Sequence, residues 1–575
     1  MKRLSSFLLA ISFILLIIPF TALLAAADNP SGSCGDNATW TFGSGTLVIS
    51  GSGEMDDFVL LPWAFYKDEI KYVLVQDGIT RICDNAFKNC TALELASIPD
   101  TVEFIGESAF ENCTKLAEII LPKSLKTIDI NAFKGCTAFT EITIPKKVTE
   151  IELGAFDDCK KISKINYEPV NIDSVSTCFA NLGSQTSGVT VSFGEDVTVV
   201  PSNIFKDCTN VTAVSFGSNI EIIGKEAFMG CTGLQNVTLP NSLREIDMYA
   251  FKCCYAFTEI TIPKKVTTIG LGAFNDCKSI SKITYEPVNI DSVSTCFANV
   301  GSQTSGVTVS FGEDVTVVPS NLFKDCTNVT TVNFGSNIEI IGKEAFMGCT
   351  GLQNVTLPNS LREININAFK GCTAFTEITV PKKVTKIELG AFNDCKKVTK
   401  FNYNAQNISS VSTCLSKLGY STDGVEVVFG DNVSVIPSYL FDECTDVVKV
   451  TLGSGLKTVG DKAFYSCSLL EEAVYNGSPS EWAQVTVKSG NDPLVNVVTF
   501  SKEDELPPEP EYTVGDINGN GKIDARDYLL LKRAYFGTYT LTCAPEAADI
   551  NGNGKIDARD YLLLKRAYFG TYTIA

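Results

Sequence analysis

Apolar and polar residues alternate in short runs that return at a fixed interval. In Cys136-Thr-Ala-Phe-Thr-Glu-Ile-Thr-Ile-Pro145, Ile142 and Ile144 alternate with Glu141 and Thr143. A period of two predicts a half-buried strand. Pro145 ends it, because proline has no N–H to give to a ladder. Val148 and Ile151 follow, then Ala155 and Phe156 turn back into an apolar interior. The motif A-F-x-x-C marks each such return. Its aromatic falls at 87, 110, 133, 156 and 179, in equal steps. The series runs on to 464 with slightly longer steps before 205, 323 and 441 and with Leu415 in one slot. There are 17 anchors, and a longer 118-residue period makes the segments starting at Val189 and Val307 nearly identical.

One strand and one return per unit cannot bury a core alone. Such units must stack, with their strands in a parallel ladder spaced about 4.8 Å apart. The predicted architecture is a repeat solenoid of about 17 coils of 23–26 residues, roughly 80 Å long at that spacing. The unit holding Cys178 and Phe179 lacks the Cys-Thr start and carries the loop Gly183-Ser-Gln-Thr-Ser-Gly188, so it is expected to bulge from the stack.

The repeat resembles a known family. The pattern C-T-x-L-x-x-I-x-I-P followed by V-x-x-I-x-x-x-A-F, as in Cys113-Thr-Lys-Leu-Ala-Glu-Ile-Ile-Leu-Pro122, is similar to the BspA-like leucine-rich repeat, also called the Treponema pallidum type. The stretches Ser33-Cys-Gly-Asp-Asn-Ala-Thr-Trp40 and Gly45-Thr-Leu-Val-Ile-Ser-Gly51 resemble that family's N-terminal cap. The resemblance spans about residues 33–500 and implies a leucine-rich-repeat solenoid.

Outward strand positions are where a solenoid meets a ligand. Here they form a polar face rich in hydroxyls, with Glu141, Thr143, Thr238, Glu259, Thr261, Thr356, Glu377 and Thr379 as candidate ligand-face residues. An ordinary solvated sheet is the competing reading. No aromatic row lies along it, which weakens a sugar-stacking role. The Cys of each A-F-x-x-C sits at one equivalent position per coil, beside the core Phe. A small buried hydrophobe explains that better than a disulfide, since parallel neighbours aim their side chains poorly at each other. Cys34 and the adjacent Cys253 and Cys254 stand apart and leave other pairings open.

The sharpest chemistry is at the C-terminus. After an acidic, proline-rich stretch, residues 516–540 recur unchanged at 549–573. Each copy starts with a 12-residue loop whose oxygens fit a calcium ion. In the first loop these are Asp516, Asn518, Asn520, the carbonyl of Lys522, Asp524 and Asp527; in the second, Asp549, Asn551, Asn553, Lys555, Asp557 and Asp560. Gly521 makes the sharp turn. The last position is Asp where the usual EF-hand has Glu. Each loop runs into a short helix, Tyr528-Leu-Leu-Leu-Lys-Arg-Ala-Tyr-Phe and its copy, and none is expected before either loop. Duplicated loop-plus-helix units at a C-terminus resemble a type I dockerin, the all-α, calcium-binding plug that docks into cohesin modules of cellulosomal scaffoldins. The resemblance implies two Ca2+ ions and a cohesin partner. It implies cohesin contacts at Ala525, Arg526, Lys532 and Arg533 and at Ala558, Arg559, Lys565 and Arg566. Better-known versions carry Ser-Thr where this chain has Ala-Arg.

Lys2 and Arg3 precede an apolar run from Phe7 to Leu24 and the triplet Ala25-Ala26-Ala27, the order of a cleaved secretory signal, with an uncleaved anchor as the alternative. The expected organisation is a signal peptide (1–27), an N-terminal β cap (28–80), the solenoid with its C-terminal cap (81–500), a linker (501–512) and the dockerin (513–575). Composition narrows function further. A net charge of −19 argues against a broad nucleic-acid surface. The absence of His removes Ser-His-Asp and Cys-His nucleophiles and HExxH zinc sites. Paired carboxylates such as Asp157-Asp158 lie in the return turns and are not read as catalytic.

The expectation is a secreted, extracellular, non-catalytic interaction protein, borne by a cellulosome at the bacterial surface, with no membrane segment after cleavage. Its solenoid would bind an unidentified polysaccharide or protein. The alternatives are a glycoside hydrolase of polysaccharide catabolism, a spacer, or an inhibitor within the complex.

Overall fold

The computed structural model describes residues 29–406, 408, 411–503, 512–542 and 545–574; the signal segment 1–27 lies outside them. The chain divides into two compact units, Met1–Lys502 and Glu503–Ala575. Among the described residues no helix is long and apolar enough to cross a membrane.

The first unit is the predicted solenoid. Its main parallel ladder is built mostly from strands of three to six residues, such as Glu141–Ile144, Lys164–Tyr167 and Val189–Phe193. Equivalent residues of neighbouring coils pair in register, Ile142 with Ile165 and Thr143 with Asn166. Their alternation buries the Ile side chains and leaves Thr143 exposed. A second parallel ladder, unforeseen in the sequence, runs through two-residue strands such as Thr127–Ile128 and Glu150–Ile151. Two residues carry too little alternation to stand out as a strand, so only stacking reveals them.

A third line of coil-to-coil hydrogen bonds runs through the return turns: the Phe110 N–H donates to Ala132 O (2.7 Å) and Phe133 N–H to Ala155 O (2.8 Å). The residue before all but the last ladder Cys has positive φ, as in Asn89, Asn112, Asp158 and Asp276. Asn and Asp tolerate the left-handed region best after Gly. Gly135 and Gly371 fill this position in two copies of the 118-residue unit, whereas the intervening copy places Cys253 there at φ +63°.

The core is a continuous aromatic column. Trp63 starts it, and Phe rings follow from Phe87 to Phe392 at centroid spacings of 5.0–6.3 Å. Leu415 interrupts the column, which resumes with Phe441 and Phe464. The unit expected to bulge keeps its place: Phe179 lies 5.2 Å from both Phe156 and Phe205. Its extra residues form the surface turn 183–188, where Thr186 Oγ1 donates to Gly183 O at 2.8 Å.

The ladder Cys are buried, and most of their thiols donate to the carbonyl of a Phe in the preceding coil, as Cys113 to Phe87 O and Cys136 to Phe110 O, both at 3.2 Å, while Cys444 donates to Leu415 O. No described Cys forms a disulfide. Burial drives the thiols up, those of Cys83 and Cys90 to about 12.

At the N-terminal end, Ser31–Ser33, Asn37–Gly43 and Thr46–Glu54 form an antiparallel cap. Thr46–Glu54 feeds both ladders: its first half pairs with Tyr72–Val75, and Gly53 and Glu54 pair with Ile79 and Arg81. Arg81 bridges Asp57 at 2.9 Å and Asp84 at 3.0 Å. At the other end, the short helices Pro479–Trp482 and Asp492–Val495 cover the last coils; Ser478 and Glu481 form a capping box on the first.

The second unit has two equal helices, Ala525–Tyr535 and Ala558–Tyr568, packed on Ile517, Leu531, Ile550 and Leu564. The Tyr528 and Tyr561 rings stack across the pair at 5.2 Å and their hydroxyls are hydrogen-bonded. A short helix, Pro545–Ala548, precedes the second loop, where the sequence had suggested none. Pro545 starts it, as a residue with a preset helical φ and no N–H to satisfy.

Candidate functional site

Both tail loops wrap around a buried carboxylate. Asp527 Oδ1 accepts from the N–H of Ile517 (2.9 Å) and Asn518 (3.0 Å) and from the Asn518 side-chain amide; Oδ2 accepts from Asp524 N–H at 2.8 Å. Asp516 accepts from Asn520 N–H (3.1 Å) and Gly521 N–H (2.6 Å). The second loop repeats this: Asp560 accepts from Asn551 and Asp557, and Asp549 from Asn553 and Gly554. Gly519 and Gly521 hold φ of +70° and +81°, turning the backbone sharply.

Asp524 and Asp557 also have a role that spacing did not reveal. Each is the N-cap of the following helix and forms a capping box with Asp527 or Asp560. The cap satisfies N–H groups that a helix start leaves open.

The donor set suits a hard cation. Asp527 and Asp560 are fully buried, and no cationic side chain pairs with either among the described residues. A buried carboxylate needs an opposing charge. The other candidate donors are carboxylate, amide and carbonyl oxygens, the ligands calcium takes. Among the described residues no three acidic, Cys or His side chains converge on one point, so the amides of Asn518 and Asn520 and the carbonyl of Lys522 are needed to complete a site. Ala525, Arg526, Lys532 and Arg533 lie exposed on the first helix, and Ala558, Arg559, Lys565 and Arg566 on the second.

The solenoid offers a second candidate surface. Its outward positions interlock across coils: Lys164 pairs with Glu141, and Asn166 donates to Thr143 Oγ1 at 3.0 Å. Lys282 approaches Glu259 at 3.6 Å, and Asn402 donates to Glu377 at 2.7 Å and to Thr379 at 3.1 Å. Thr143, Thr261 and Thr379 are exposed on strands as expected. Thr238 and Thr356 are exposed but belong to no strand. In their coils an Asn side chain takes over the ladder: Asn236 Oδ1 accepts from Thr258 N–H (2.9 Å) and Glu259 N–H (3.1 Å), and Asn354 does the same for Thr376 and Glu377.

Beside Asn354 a groove of about 550 Å³ opens, lined by Thr356, Glu377 and Thr379 together with Lys382, Asn404 and Asn432. The last three were not foreseen; their signal lies in how copies of the 118-residue unit differ. Asp157 has no catalytic setting. Its carboxylate caps a turn through Ala180 N–H at 2.7 Å, and burial raises its pKa.

Comparison with known proteins agrees with this architecture. Residues 62–186, 198–329, 316–422 and 418–484 match the BspA type Leucine rich repeat region, in six copies, and residues 514–567 match the Dockerin type I domain. The chain belongs to the BspA-type leucine-rich-repeat family and carries a C-terminal type I dockerin domain. Among solved structures it is similar to a leucine-rich repeat protein from Bacteroides ovatus ATCC 8483, at 25% identity over 64% of this chain and 93% of the other, with a TM-score of 0.40. It is also similar to a leucine-rich cell surface protein from Faecalibacterium prausnitzii A2-165, at 21% identity over 81% and 100%, with a TM-score of 0.26. No curated protein matches the chain.

Proposed function

We propose that this protein is an extracellular, non-catalytic interaction module of a cellulosome-like assembly. Its dockerin domain docks it on a scaffoldin cohesin, and its solenoid presents a binding face to a protein ligand. The observation that carries the reading is the union in one chain of a BspA-type solenoid with two identical loop-plus-helix units of dockerin type. The two family matches leave only residues 187–197 and 485–513 unmatched between positions 62 and 567, too little for a catalytic domain.

Two calcium ions order the tail. The first is held by Asp516, Asn518, Asn520, the Lys522 carbonyl and Asp527, with Asp524 contributing through water; the second is held by the equivalent set from Asp549 to Asp560. Calcium supplies the charge that the buried carboxylates lack. The Ala-Arg and Lys-Arg pairs on the two helices face the cohesin, and the identity of the copies gives two equivalent docking orientations.

The test is capture of the full chain on a panel of immobilised cohesins, with calcium and with a chelator. Calcium-dependent capture by at least one cohesin supports the reading. Capture that persists in chelator would refute the calcium role, and sugar release from polysaccharides by the purified chain would refute the non-catalytic one.

A further inference from the structure

The three copies of the 118-residue unit carry the same groove position with different chemistry. In the first copy Lys146 bridges Asp196 at 2.9 Å, and in the second Lys264 bridges Asp314 at 2.8 Å. The third copy has Lys382 and Asn432 at these places. Amide has replaced acid, and Lys382 has no ion-pair partner among the described residues. A second acid is lost nearby: Glu168 and Glu286 correspond to Asn404. Asn404 and Asn432 are the sole lining residues of the groove that differ from their counterparts in the second copy, and both differences replace an acid with Asn. The effect is to remove the bridge spanning the groove and to leave the Lys382 ammonium without an ion-pair partner among the described residues, with Glu377, held by the Asn402 amide, as the one acid left in the lining.

The remaining chemistry of the groove specifies an occupant. One wall is the coil 354–357, which joins no strand and whose backbone N–H groups have no partner among the described residues. Asn404 and Asn432 face it from later coils, each with one amide donor group and one acceptor. Open main-chain groups and side-chain amides match a peptide backbone, which has one donor and one acceptor per residue. No aromatic lines the groove, so the stacking platform that sugars favour is missing. Four stacked coils extend about 14 Å, room for about four extended residues.

We propose that this groove in the third copy is the solenoid's ligand site, and that it takes an extended peptide segment bearing an acidic side chain whose carboxylate pairs with Lys382. The proposal rests on the reading of the solenoid as a protein-binding module, and the test separates the two.

The probe is an array of blocked nine-residue peptides with a central Asp or Glu, matched Asn and Gln versions, and polygalacturonate and cello-oligosaccharides as non-peptide arms. The best peptide then goes to titration calorimetry with the full chain. We expect a stoichiometry of one, and about tenfold weaker binding of the amide version, the scale of one lost charge-assisted hydrogen bond. The variant N404E/N432D restores the residues of the sister copies, so it preserves the frame, and it should abolish binding. Lys382→Glu should do the same. The reciprocal variant E286N/D314N should open a second groove and raise the stoichiometry to two.

Peptide binding that N404E/N432D leaves intact would overturn the groove while keeping the protein-binding reading. Binding of polygalacturonate in place of peptide, sensitive to the same variant, would overturn the ligand class. No binding to any peptide or to an extract of extracellular proteins would overturn both.

Discussion

The aromatic column makes the solenoid's stability testable at a single ring. Phe251 is fully buried and stacks between Phe228 and Phe274, each at 5.4 Å. Truncation to Ala removes the buried ring and leaves a cavity, which costs about 3–5 kcal/mol. Three ring pairs, the third with Phe257 at 5.6 Å, are lost within that figure, each contributing about 0.5–1.5 kcal/mol. Phe464 ends the column and has two ring neighbours, Phe441 stacked at 5.3 Å and Phe429 edge-on at 6.2 Å. Phe464→Ala should therefore cost less than Phe251→Ala, by about one ring pair.

The column also predicts which substitution is tolerated. Leu415 occupies an equivalent slot and is fully buried. Phe251→Leu keeps most of the volume and should cost less than about 1.5 kcal/mol. Each coil contacts only its neighbours, so Phe251→Ala should also weaken the coupling between the halves on either side. Urea unfolding followed by circular dichroism reads the stability, and limited proteolysis locates the opened coil. The reasoning fails if Phe251→Ala costs under about 1 kcal/mol, or if Phe251→Leu costs as much as Phe251→Ala.

Other consequences are equally direct. Chelation in the full chain should deprotect both tail helices in hydrogen exchange and leave the solenoid amides unchanged; Asp527→Ala should do so for the first helix even with calcium, and unchanged protection in chelator would contradict the assignment. Burial holds the buried thiols far from their reactive form, those of Cys34 and Cys83 at about 12, so native labelling at pH 8 should be slow at every described Cys but Cys253, the partly exposed one among them. Full labelling should appear only in denaturant, and fast native labelling of many thiols would refute the burial argument. Burial pushes the Asp57 carboxyl up, but the Arg81 hydrogen bonds and the Asp84 N–H outweigh it and hold the group below its ordinary 3.8. Its contribution is then complete above about pH 4 and lost as the pH falls through the lowered value, so the N-terminal cap should loosen in strong acid. Asp57→Asn should blunt that acid loss in a thermal-melt series, and an identical pH profile would count against the bridge.

The solenoid was legible because its information is local and repeated. Alternation at Ile142 and Ile144, Pro145 at the strand end and a Phe at each return all state one coil, and the repetition makes stacking the only way to bury them. The loop oxygens from Asp516 to Asp527 were legible for the same reason, since all of them lie within one short loop. The helix-cap role of Asp524 was not separable from an ion-binding role by spacing alone, because one carboxylate can serve either.

What only the tertiary structure decided involves residues that are distant along the chain. The two-residue ladder exists because coils meet at a pitch that lets Thr127 and Glu150 pair. Phe179 stays in the column because its neighbours on both sides hold it there, whatever its own unit lacks. The groove depends on Lys382 and Asn432, which are far apart in the sequence yet occupy the positions where Lys264 meets Asp314. Repetition along the chain therefore determined the coil, while contact between coils determined where a bridge spans the groove and where it is missing. The bridging residues recur with the 118-residue unit, Lys146 and Lys264 with Asp196 and Asp314, but that each Lys meets its Asp is visible only once the coils are stacked.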